Sequence, residues 1–206
     1  MNEFFELDGH VNLPGTWYLD DLYDSAGQRF DERDFTYGLP IELGPPMRLA
    51  LYDTDTMVDV VPPLMVTVPR DGTPTDYTLA GIDMPVITRR VGELLGRLAG
   101  TEIQRIPVRV DGHDEQYEIL NVISVVPCID TKRSRIMWWT EADGRPDKVG
   151  QPRMISKFVL DRAALTGHNI LIPKEWRVVV LVSEVLKVAL EEAGVTGVRF
   201  LTETEM

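Results

Sequence analysis

The chain has 206 residues, of which 44% are hydrophobic and 26% charged, and its 33 acidic residues outnumber 21 Lys plus Arg to give a net charge of −12. A chain of this size buries about 70% of its unfolded surface, which excludes wholesale disorder; a single cysteine, Cys128, excludes a disulfide scaffold. No apolar run reaches the roughly 18 residues of a membrane helix. The opening MNEFFELDGH lacks the basic and apolar regions of a signal peptide, so one cytoplasmic domain over 1–206 is expected.

Residues 1–36 read as an acidic, aromatic arm. Trp17, Tyr18, Tyr23, Phe30 and Phe35 alternate irregularly with Asp20, Asp21, Asp24, Asp31, Glu32 and Asp34, with no helical or strand period. Residues 1–80 hold 15 acids and 4 bases, whereas 81–206 are nearly neutral at −1. Such a surface repels a nucleic-acid backbone and attracts a basic protein. Residues 37–80 are broken by seven prolines, which permits only short edge strands, at 48–52 and 64–68.

A helix over about 85–99 follows, with Pro85 in its first turn, Asp83 or Met84 near the cap, and an apolar stripe of Ile87, Val91, Leu94, Leu95 and Leu98. Gly100 is placed to close it. Gly92 and Gly96 each weaken it by about 1 kcal/mol relative to alanine, a cost that close packing on a sheet would explain. Strands at 103–110 and 116–126 flank Asp111-Gly112-His113-Asp114 as a hairpin. Further strands are expected at 135–140, 154–160, 177–182 and 198–201. The pair Trp138, Trp139 should send one ring into the core and the other toward a partner or subunit. Ser183 and Glu184 start a last helix over 184–193, with Val185, Leu186, Ala189 and Leu190 inward and Gly194 at its end. Without regular β-α alternation the pattern predicts an α+β fold: a mainly antiparallel sheet, two principal helices and a Pro-rich, irregular N-terminal part. The family-like core would be 81–206.

Catalytic signals are thin. Asp111, His113, Asp114 and Glu115 crowd together, but on a hairpin tip where Asp and Gly serve turn geometry. Asp53 and Asp55 form a common D-x-D, and His10 and His168 lack metal-ligand spacing. A restriction-type nuclease site would use Glu118, Asp130 and Lys132, two carboxylates for magnesium and a lysine for the attacked phosphate. Asp130-Thr131-Lys132 reads as a loop, however, and the acidic chain lacks a basic cleft. Cys128, between apolar neighbours, reads as a buried thiol. No phosphate-binding glycine motif occurs, and no metal or cofactor is expected.

The order of segments carries more. GLPI at 38–41, Pro45-Pro46, Asp76-Tyr77, IQRIPVRVDG at 103–112, YEILNV at 117–122, SKFVLD at 156–161 and VSEVLKVALEEAGVTGVRF at 182–200 together resemble the Imm11 family of bacterial immunity proteins. The resemblance implies a non-enzymatic antitoxin. It would be encoded beside a polymorphic toxin that contact-dependent or type VI-like secretion delivers to competitors, and would bind and neutralise that toxin. No catalytic residue is carried over. The resemblance leaves a homo-oligomer open and implies neither a nucleic-acid nor a membrane partner. Because 1–36 shows little of the pattern, the toxin-binding residues are expected there. Trp17, Tyr18 and Tyr23 would be anchors, and Asp20, Asp21, Asp24, Asp31, Glu32 and Asp34 a charged rim. Failing that, the loops around His113 and Gly144 are the next candidates.

Overall fold

The computed structural model describes residues 3–9, 14–31, 35, 38–41, 47–51, 56–60 and 63–206. His10, Glu32, Asp34, Pro45, Pro46, Asp53 and Asp55 lie outside them.

In chain order the described strands are β1 (Phe4–Gly9), β2 (Leu22–Tyr23), β3 (Arg29–Phe30), β4 (Met47–Ala50), β5 (Met57–Val60), β6 (Leu64–Val66), β7 (Tyr77–Ala80) and β8 (Met84–Thr88). Helix α1 (Arg89–Ala99) precedes β9 (Ile103–Val110), β10 (Tyr117–Val122), β11 (Val125–Val126), β12 (Arg135–Trp138), β13 (Pro152–Lys157), β14 (Ile170–Pro173) and β15 (Leu181–Ser183). Helix α2 (Glu184–Glu192) and β16 (Val198–Leu201) end the chain. One mixed sheet runs β3-β2-β6-β9-β10-β8-β7 and another β11-β14-β15-β1-β16; β12-β13 and β4-β5 are two-stranded ribbons. The pairs β6-β9 and β11-β14 are parallel. Strands, two helices and no regular alternation make the fold α+β.

Alternation along β10 shows how the layers stack. Tyr117 and Ile119 join one apolar core with Trp17, Leu64 and the β4-β5 ribbon. Leu120 and Val122 face a second core beneath both helices, with Val91, Leu95, Leu186 and Leu190. Both faces are covered, and every residue of β10 is buried. A third core, of Phe4, Phe158, Leu171 and Leu181, lies under the β12-β13 ribbon.

Helix α2 starts where expected: the Leu186 N–H donates to the Ser183 hydroxyl at 3.3 Å, and Gly194 takes a positive φ of 63°. Leu186 and Leu190 are fully buried, but Val185 is 51% exposed, so the inward stripe is narrower than predicted. Leu186→Ala should therefore cost about 2–5 kcal/mol, while Val185→Ala should leave the thermal midpoint nearly unchanged. Equal effects from the two variants would mean the buried face is misassigned.

Helix α1 starts four residues later than predicted, because 84–88 form β8. Pro85 is tolerated there since the register with β10 begins at Val86. Thr88 is the cap residue, but its hydroxyl donates to Asp76 and accepts no hydrogen bond from the helix N–H groups. Asp76 also accepts from the Thr196 N–H and hydroxyl and pairs with Arg90 at 2.8 Å. Burial pushes the Asp76 carboxyl up, but these hydrogen bonds outweigh it and hold it below its ordinary value. Gly197, at φ 85°, passes so close that a Cβ would lie 2.0 Å from the Tyr77 carbonyl oxygen. Asp76, Tyr77, Thr196 and Gly197 thus tie the start of the seven-stranded sheet to the C-terminal strand.

The arm was expected to lack a strand period, yet β1 is a central strand between β15 and β16. Its Glu6 is half-buried, and burial followed by the Asp8 carboxylate pushes its pKa up to about 7 from 4.5, against the lowering effect of Arg199. Between those values the folded chain binds more protons than the unfolded one, so this contribution is full below pH 4.5 and is lost as pH rises through 7. Glu6→Gln should raise stability at pH 8 by about 1–2 kcal/mol after allowance for solvent screening, and by less at pH 5. Thermal melts at the two pH values check this; a larger gain at pH 5 would contradict it.

Candidate functional site

The acidic arm and the β9-β10 hairpin meet at one end of the seven-stranded sheet. Backbone bonds from Asp20 N–H to Thr67 O, at 3.1 Å, and Thr67 N–H to Asp21 O, at 3.0 Å, lay the arm along β6. The Tyr23 hydroxyl then donates to Asp111 at 2.5 Å, across 88 residues of sequence. Burial and the Asp111 carboxylate push the Tyr23 phenol up to about 12, so it stays a donor at neutral pH. Trp17 supports the hairpin from behind, with its ring edge-on to His113 at 4.9 Å and tilted against Tyr117 at 5.5 Å.

Two hollows open here. One, of about 880 Å³, is lined by Met65, Arg109, Asp111, His113, Asp114 and Glu115 among others. Its neighbour, of about 630 Å³, adds Asp21 and Asp71 and shares Asp111 and His113. Their linings mix Met65, Val108 and Tyr117 with these carboxylates, and Arg89 and Arg109 stand among them.

The expected anchors and rim fall out differently at this face. Trp17 is 3% exposed and belongs to the core, so its ring is spent on packing rather than offered to a partner. Asp31 is likewise buried. Asp24 accepts from the Ala26 and Gln28 N–H groups and shapes the β2-β3 turn. Tyr18, Asp20, Asp21 and Tyr23 are half-buried, and Asp21 pairs with Arg29. The most exposed carboxylates are Asp71, Asp114 and Glu115, which the arm-centred expectation passed over. Asp114 and Glu115 lie in the His113 loop, the second region expected to bind, and Asp71 lies in the separate loop between β6 and β7.

The nuclease constellation is not assembled. Glu118 lies on β10 under α1 and receives two hydrogen bonds from Arg105, at 2.7 and 2.8 Å. Asp130 lies in the loop after β11 and accepts from the Lys132 and Arg133 N–H groups, as a turn residue does. Lys132 points to solvent. Among the described residues no three or more His, Cys, Asp or Glu side chains are grouped to hold a metal. Cys128 is buried, and burial followed by Glu175 and Asp161 pushes its thiol up to about 12, which keeps it protonated and unreactive.

His168 has partners that its sequence spacing did not reveal. Its Nδ1 lies 2.7 Å from Glu102 and 3.2 Å from the Ser124 hydroxyl. A nucleophilic relay needs acid and nucleophile on opposite ring nitrogens; here both crowd one. The other Glu102 oxygen accepts from the Asn169 and Ile170 N–H groups. The cluster therefore pins the loop before β14 to the end of α1. No helix among the described residues is long and apolar enough to cross a membrane.

Residues 22–204 match the model of the immunity protein family Imm11. The match starts well before Gly38, so β2, β3 and the Asp21–Tyr23 neighbourhood, apart from Asp21 itself, fall inside the family region rather than in an unrelated arm. No curated protein matches the chain.

Proposed function

We propose, since the chain belongs to the Imm11 immunity protein family, that it is a non-enzymatic inhibitor that binds and neutralises a cognate secreted antibacterial toxin whose contact surface is basic, as that of a nuclease would be. The observation that carries this reading is the convergence of Asp21 with Asp71, Asp111, Asp114 and Glu115 around two adjoining hollows. Clustered carboxylates complement a cationic, phosphate-binding surface and speed its capture. A stable contact would bury about 1,200–2,000 Å² in total, more than the hollows alone offer, so the surrounding loops would take part. The site of action would be the producing cell's own cytoplasm.

The metal-dependent nuclease alternative, with Glu118, Asp130 and Lys132, finds no support in the geometry, since Glu118 is committed to Arg105. Expression of the cognate toxin tests the proposal. Growth should be restored by co-expression of the wild-type chain and equally by Asp130→Ala. If protection disappears in Asp130→Ala while that variant remains folded, the carboxylate acts chemically and the inhibitor reading fails.

A further inference from the structure

The β12-β13 ribbon carries a surface of opposite character. Residues 127–178 hold ten Lys and Arg against six Asp and Glu, a net of +4 in a chain of −12. Trp138 is 41% exposed and Val178, in the same groove, 53%; the paired Met137 and Met154 of the ribbon are about half exposed too. Trp139 is half-buried, so neither ring of the pair is the fully buried core residue that strand alternation predicted. The ribbon and the loop 174–178 enclose a groove of about 990 Å³ that includes Trp138, Trp139, Arg153, Lys174, Trp176 and Val178 in its wall.

Two cations of this groove are held in place. Arg153 lies over the Trp139 ring at 4.7 Å and pairs with Asp143 at 2.5 Å; Lys148 lies on the same ring at 5.6 Å. The acid in the wall, Glu175, accepts from the Cys128 and Ile129 N–H groups at 3.3 and 3.4 Å. Among the described residues neither β12 nor β13 pairs with a third strand, so the ribbon keeps an outer edge on each side.

We infer that this groove is a second docking site, which takes an extended segment of a protein partner that alternates acidic and apolar side chains. The charge selects the occupant. A two-fold contact between copies of this ribbon would set Arg153 and Lys174 against themselves. A nucleic-acid strand would add a long polyanion to a chain already at −12, for only a few cations. A peptide with intermittent carboxylates meets the cations singly, lays its apolar side chains on the tryptophans and can pair with a ribbon edge. This goes beyond the proposed function and does not depend on it, because the groove and the acidic face share no residue.

The test uses fluorescein-labelled probes on the full chain: a short peptide alternating glutamate and leucine, the matched lysine–leucine peptide, and oligo-dT. Anisotropy should show saturable binding of the acidic peptide alone, with a Kd of roughly 100 μM or tighter and weakening as salt rises. Arg153→Glu with Lys174→Glu should reduce that affinity at least about tenfold. Trp138→Ser, an exposed site, should weaken it without a change in thermal midpoint. Equal binding of both peptides, no saturable binding, or unaltered affinity in these variants would overturn the inference, as would preference for oligo-dT. So would a dimer by sedimentation that the charge reversal dissolves. Toxin protection is scored separately, so a negative peptide result with protection intact removes this site and leaves the inhibitor reading standing.

Discussion

Arg105→Met should destabilise the protein by about 3 kcal/mol, the scale of removing one partner from a buried ion pair. Glu118 has only 11% of its side chain exposed and is held by two hydrogen bonds from the Arg105 guanidinium. Glu118 in turn holds the guanidinium further toward its charged form. Removal of the arginine leaves a carboxylate under a helix with no compensating charge. The same pair explains Gly92: a Cβ there would lie 2.0 Å from a Glu118 oxygen and 2.8 Å from Arg105 Nε. Gly92→Ala should therefore destabilise, although alanine favours the helix by about 1 kcal/mol. Arg105→Met with Glu118→Leu should recover most of the loss, since an apolar replacement of a buried pair is often neutral. Denaturant melts of the single and double variants decide this. A double variant as unstable as the single one would show that the space between sheet and helix, not the stranded charge, sets the cost.

Charge reversal at the hairpin tip should have the largest effect on binding. Asp114 and Glu115 are exposed, and the neighbouring Asp111 is half-buried and already bonded to Tyr23. Asp114→Lys with Glu115→Lys should slow association with the toxin at low salt by about ten- to a hundredfold, and flatten its salt dependence, with a much smaller change in dissociation. Asp20→Lys with Asp21→Lys should act in the same direction, at some cost to the fold because Asp21 pairs with Arg29. Trp17→Ala should act through stability instead, by about 3–5 kcal/mol for a lost core aromatic. Rate constants measured at two ionic strengths separate these outcomes. Unaltered rates in the hairpin variant would remove the acidic face from recognition.

Legibility in the sequence followed how local each determinant is. Helix α2 could be read because Ser183, Glu184 and Gly194 mark its ends within a few residues. The β9-β10 hairpin could be read from Asp111-Gly112 between apolar runs. The start of α1 could not: Pro85 is as acceptable in a strand beyond its neighbour's register as in a first helical turn, and only the pairing with β10 tells them apart. Strand β1 was hidden for a related reason. Phe4 and Phe5 go to different cores on opposite faces of the sheet, so the alternation that marks a half-exposed strand is absent. The acidic composition pointed to a partner, but not to the residues that face it. Tyr23 and Asp111 are far apart in sequence, and only folding shows that the described acids nominated in the arm are buried or half-buried while Asp71, Asp114 and Glu115 are exposed.

The most direct measurement is a calorimetric titration of the purified chain into the purified domain of its cognate toxin, at low and at high salt. A saturable 1:1 complex with a Kd of about nanomolar or tighter, weakened by salt and by Asp114→Lys with Glu115→Lys, is the predicted result. No complex at either salt, or one whose affinity ignores both salt and that charge reversal, would contradict recognition through the acidic face.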